Sequence, residues 1–104
     1  MKNIGTVIRK LRRNKDITQD ELAKGAGVTK AYISLIEKGN RPNISSTIIG
    51  NIAKVLDVPV EILVFMQLDL DNVQPNKREA FQDIKPAVDA LINEFFLNPK
   101  PKDK

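Results

Sequence analysis

The stretch from Thr18 to Gly39, TQDELAKGAGVTKAYISLIEKG, limits the possible folds more than any other part of the chain. Thr18 is followed three residues later by Glu21, the spacing of a reciprocal capping box, and Ile17 and Leu22 stand where they can staple the helix start across it. Gly25 and Gly27 bracket Ala26, so this helix is expected to end near Lys24 or Gly25, where a glycine can take the left-handed conformation that closes a helix. Thr29 then offers a second N-cap, with Val28 and Ile33 again at staple spacing, and the helix it opens reaches about Lys38 before Gly39 stops it. Two short helices joined by a tight turn result. The small Ala23, the turn residue Gly27 and the apolar Leu22, Val28, Ile33 and Ile36 supply what two such helices need in order to cross at a fixed angle.

Apolar periodicity extends the pattern in both directions. Ile4, Val7, Ile8 and Leu11 recur at helical spacing, which predicts a first helix from about Asn3 to Asn14 with Arg9, Lys10, Arg12, Arg13 and Lys15 outward. After the loop-like stretch Gly39 to Asn43, Ser45 can cap a fourth helix that buries Ile48, Ile49, Ile52, Val55 and Leu56, weakened by roughly 1 kcal/mol at Gly50 relative to alanine. Pro59 is compatible with the first turn of a fifth helix through Ile62, Leu63 and Phe65. The expected fold class is all-α, with five helices within residues 1 to 66 and no convincing strand. Residues 67 to 76 read as a connector or a short extended element. Residues 77 to 97 are helical in pattern, with Pro86 either kinking one helix or beginning a second, and residues 98 to 104 are too poor in apolar side chains to pack and are expected to be disordered.

Composition narrows the chemistry. The chain has 104 residues, no cysteine and no histidine, which removes disulfides, thiol nucleophiles, imidazole bases and the usual zinc ligands. Asp20, Glu21, Asp83 and Asp89 fall on exposed helical faces with no nucleophile or metal cluster beside them, so an enzyme is not expected and neither is a cofactor. No signal peptide or membrane span is legible, which predicts a cytoplasmic protein. The net charge of +4 is unevenly spread: residues 1 to 66 carry eleven Lys or Arg against six Asp or Glu, and residues 67 to 104 carry six against seven. A localised basic surface suits a polyanion such as nucleic acid, through phosphate neutralisation and counterion release, although solvated lysines alone produce the same count.

Residues 4 to 63, from IRKLRR through TQDELAKGAGVTKAYISLIEKG to VPVEIL, resemble the lambda-repressor and Cro-like helix-turn-helix family, also called XRE. The resemblance implies a five-helix domain that binds double-stranded operator DNA as a dimer and controls transcription. It implies a third helix lying in the major groove, with Thr29, Lys30, Ala31, Ser34 and Leu35 as the reading face. Helical spacing places the same residues opposite Ile33 and Ile36. Lys30 can donate to guanine, Ser34 can pair with several bases, and Ala31 or Leu35 can meet a thymine methyl. Leu35 departs from the long polar side chain common there in the family, which shifts weight toward shape readout. By the same resemblance Gln19 contacts a phosphate, Lys38, Asn40 and Arg41 border the backbone after the reading helix, and Arg12 and Glu37 form a structural ion pair. Arg9, Lys10 and Arg13 are expected to contribute to the field whether or not they touch DNA.

The C-terminal segment carries an apolar seam of Phe81, Ile84, Val88, Leu91 and Phe95, widened by Ile92 and Phe96. Such a seam can pair with its copy in a homodimer, fold back on the core, or receive a different protein. The favoured expectation is a dimeric repressor, since steric block requires binding alone. The alternative is an antitoxin or regulatory subunit whose C-terminal segment engages another protein.

Overall fold

The computed structural model describes residues 3–40, 43–68 and 70–97, and among them every regular element is helical. The order is α1 (Ile4–Asn14), α2 (Gln19–Ala26), α3 (Lys30–Glu37), α4 (Ser46–Leu56), α5 (Val60–Phe65), 3₁₀ turns at Leu70–Asn72 and Pro75–Lys77, α6 (Arg78–Ile92), and a π-helical turn Asn93–Leu97. No described helix is long and apolar enough to cross a membrane.

The helix starts follow the capping chemistry. Asn3 Oδ1 accepts from the Gly5 amide, Thr18 Oγ1 from that of Glu21, Thr29 Oγ1 from that of Tyr32, and Ser45 Oγ from that of Ile48. Glu21 Oε1 accepts in return from the Thr18 amide, completing the capping box. The end of α2 lies one to two residues beyond its expected place. Gly25 is still helical, and Gly27, at φ 75°, closes the helix. The requirement at Gly25 is one of space, because a Cβ there would press into the Val55 side chain of α4. Gly39, at φ 80°, ends α3 in the same left-handed way, with its amide donating to Ile36 O and that of Asn40 to Leu35 O. Pro59 caps α5 from outside rather than occupying its first turn.

One core joins these helices. Val7, Ile8 and Leu11 of α1 meet Leu22 and Ala23 of α2, Ile33 and Ile36 of α3, Ile52 and Leu56 of α4, and Leu63 of α5. The close approach of α1 to α3 depends on Gly5, where a Cβ would overlap the backbone carbonyl of Ile36.

The C-terminal segment differs from the expected seam. Of the two alternatives at Pro86, no second helix begins there: α6 runs through it as one helix, with Lys85 Nζ and the Asp89 carboxylate paired across it at 2.8 Å. Ile92, expected in a dimerisation seam, is buried in the core cluster, as is Leu97, while Val88 and Phe96 pack against it. Phe81 is half-buried, and Ile84, Leu91 and Phe95 remain 59%, 57% and 71% exposed. The stripe is wide enough to have two sides, and one of them covers the protein's own core. The connector is not extended, since its described residues form the two 3₁₀ turns, where Arg78 Nε donates to Val73 O at 3.0 Å.

Candidate nucleic-acid interface

Helix α3 presents two unlike sides. Ile33 and Ile36 are fully buried, while Thr29, Lys30, Ala31 and Leu35 are exposed on the opposite side, Leu35 to 43%. Thr29 combines two roles, because its hydroxyl oxygen accepts the Tyr32 amide as N-cap and its O–H remains available to donate outward. Lys30 stands at the first position of the helix, with no carboxylate paired to it among the described residues. Ser34 departs from the other four. It is half-buried and lines a small cavity shared with Arg12 and Gln19, so it lies at the edge of the exposed face. Tyr32 is half-buried and packs against the core, as expected of a lone aromatic at helical spacing.

Behind this face, Arg12 and Glu37 form a bidentate pair: Arg12 Nε donates to Glu37 Oε2 at 2.7 Å and Nη2 to Oε1 at 3.0 Å. Their side chains are only 10% and 3% exposed. A third guanidinium nitrogen, Nη1, donates to Ile17 O at 2.9 Å, so Arg12 fixes the loop between α1 and α2 as well as the end of α3. Sequence reasoning missed the next member of the network. Gln19 Nε2 donates to Glu37 Oε1 at 3.1 Å, so the glutamine expected to meet a phosphate is held by the ion pair rather than free to swing. Nε2 keeps a second hydrogen for an outside acceptor.

Lys38 and Asn40 are exposed just beyond α3, and Lys38 borders the same cavity as the exposed Arg9 and Arg13 of α1. Arg41, expected beside them, lies outside the described residues. A separate groove of about 520 Å³ is lined almost wholly by apolar atoms, among them those of Ile62 and Phe65 of α5 and of Leu91, Phe95 and Phe96 of the C-terminal segment. No group of three or more His, Cys, Asp or Glu that could hold a metal occurs among the described residues.

The chain is similar to known proteins. The chain is 39% identical over 61 residues to the transcriptional regulator SinR of Bacillus subtilis, covering 59% of this chain and 55% of that one. It is 35% identical over 65 residues to the transcriptional repressor RghR of the same organism, covering 62% and 48%. The chain thus spans about half the length of these relatives. The crystal structure of the clp gene regulator ClgR from Corynebacterium glutamicum superposes with a TM-score of 0.60 at 20% identity, covering 89% of both chains, and so shares the fold. The family model described as helix-turn-helix matches residues 8–63, more than half of the chain, and the protein belongs to that family.

Proposed function

We propose that the protein is a sequence-specific, double-stranded-DNA-binding transcriptional regulator that acts as a repressor, reading the major groove with α3. The observation that carries this reading is the exposed group Thr29, Lys30, Ala31 and Leu35 at the N-terminal end of a helix whose other side is wholly buried. A helix docked in the major groove by its N-terminal residues needs that division. The relatives are named as a transcriptional regulator and a transcriptional repressor, which supports the same conclusion. In this reading Gln19, Lys38, Asn40 and Arg41 hold the sugar-phosphate backbone, Ser34 reads from the edge, and the protein works in the cytoplasm without catalysis or a cofactor. Selection of bound fragments from genomic DNA tests it. Recovery of one shared sequence that Lys30→Ala no longer prefers supports the assignment, and recovery of unrelated fragments opposes it.

The protein acts as a homodimer in this proposal, since two reading helices about 34 Å apart match half-sites one helical turn apart. The exposed Ile84, Leu91 and Phe95 beside the apolar groove are its contact surface. The same groove favours a second reading, in which the C-terminal segment receives a different protein, as in an antitoxin or regulatory subunit. The mass of the purified complex separates the two.

A further inference from the structure

Leu35 interrupts the division of α3 into a buried apolar side and an exposed polar one. It is 43% exposed, whereas Ile33 and Ile36 are buried and Tyr32 is half-buried against the core. It belongs neither to the core cluster nor to the half-buried side chains packed on it. The other large apolar side chains exposed among the described residues, Val60, Val64, Ile84, Leu91 and Phe95, belong to α5 and the C-terminal segment, so Leu35 is the one on the reading helix. Its position is fixed, because the Leu35 carbonyl accepts the Asn40 amide at 2.9 Å where Gly39 closes the helix. Ala31, also exposed, precedes it by four residues, and a helical leucine leans toward the N-terminus over that site. Ala31 and Leu35 thus line up as one apolar strip on the face that carries Thr29 and Lys30. A strip without hydrogen-bonding atoms discriminates among base edges in one way. Purines and cytosine present donors or acceptors to the major groove, and covering these with leucine removes their water with nothing in exchange. The apolar group on a major-groove edge is the substituent at pyrimidine C5, the methyl of thymine.

We propose that Leu35, backed by Ala31, is a specificity-determining contact for a pyrimidine 5-methyl group, so that the protein selects thymine at that base pair and takes 5-methylcytosine there in preference to cytosine. The inference rests on the DNA-binding reading. It deepens that reading, because one base pair of each half-site is then chosen through a methyl group rather than a hydrogen bond. Binding becomes responsive to cytosine methylation at that pair, a property that a polar side chain in place of Leu35 would not confer.

The test uses the full chain and the duplex recovered by selection, with each thymine replaced in turn by deoxyuridine, a change that removes the 5-methyl group and keeps the pairing edge. One position per half-site should weaken the parent about threefold to fivefold, the ratio expected for one methyl group withdrawn from an apolar contact. Leu35→Ala keeps a good helix former at an exposed site, so its thermal melt should match the parent. It should bind the selected duplex more weakly and show no further loss on deoxyuridine at that position. With the same base pair changed to cytosine and guanine, methylation of the cytosine at C5 should strengthen binding severalfold for the parent and leave Leu35→Ala unchanged. A deoxyuridine series without a sensitive position overturns the methyl contact while leaving the DNA reading intact. So does a sensitive position that Leu35→Ala retains in full, or equal binding of the cytosine and 5-methylcytosine duplexes by the parent. A parent that binds no duplex overturns both.

Discussion

Arg12 and Glu37, 25 positions apart in sequence, meet through two charge-assisted hydrogen bonds of 2.7 and 3.0 Å that close α1 onto the end of α3. Such a pair contributes little net stability over an apolar substitute, but orphaning one partner leaves an uncompensated charge in a buried site. Arg12→Ala would strand Glu37 with only the Gln19 amide, and Glu37→Ala would strand the guanidinium. Each single change should cost on the order of 3 to 5 kcal/mol, and the double change less than the sum of the two. Denaturant melts of the two single variants and the double variant check this, and additive losses would refute the coupling.

Two helical glycines should respond in opposite directions. A methyl at Gly5 collides with the Ile36 carbonyl, so Gly5→Ala should force α1 away from α3 and destabilise by about 1 to 3 kcal/mol. A methyl at Gly50 meets nothing within 4 Å, so Gly50→Ala should stabilise α4 by up to about 1 kcal/mol. Urea midpoints at constant m-value decide both.

The two sides of the C-terminal segment should separate stability from assembly. Ile92→Ala and Leu97→Ala remove side chains buried in the core and should each cost about 2 to 5 kcal/mol. Phe95→Ala, at a side chain 71% exposed, should leave the melt of dilute protein within about 0.5 kcal/mol of the parent while weakening the proposed dimer. Sedimentation of the parent and of Phe95→Ala at matched concentrations reads the second effect. A parent that remains monomeric at tens of micromolar, or a variant that dimerises equally well, argues against this face as the contact.

The helix-turn-helix was legible because each of its starts is written locally, as a capping threonine with an apolar pair across it, joined in α2 by the reciprocal acceptor Glu21. The Arg12–Glu37 pair was legible only through family resemblance, since a 25-residue separation leaves no periodic signal. Gln19 joining that pair, and Gly5 admitting the α3 carbonyl, depend on how helices cross and have no signature along the chain. The C-terminal seam shows a third limit. Helical spacing identified its apolar residues, but a stripe this wide can face two ways, and only tertiary packing assigns Ile92 to the core and Leu91 to the surface. Likewise Gly25 resembles a helix stop in sequence, whereas the proximity of Val55 makes it a spacer.

The reading role of α3 is tested most directly by the affinity of the parent and of Lys30→Ala for a duplex recovered by selection and for random duplex of equal length, at one salt concentration. Lys30 is exposed and sits at the first turn of α3, so the change should not disturb the fold. The account predicts that Lys30→Ala loses about 1 to 3 kcal/mol on the selected duplex and distinctly less on the random one, so that preference collapses while general binding persists. Equal losses on both duplexes would reduce Lys30 to a backbone contact, and no loss on either would contradict the placement of α3 in the major groove.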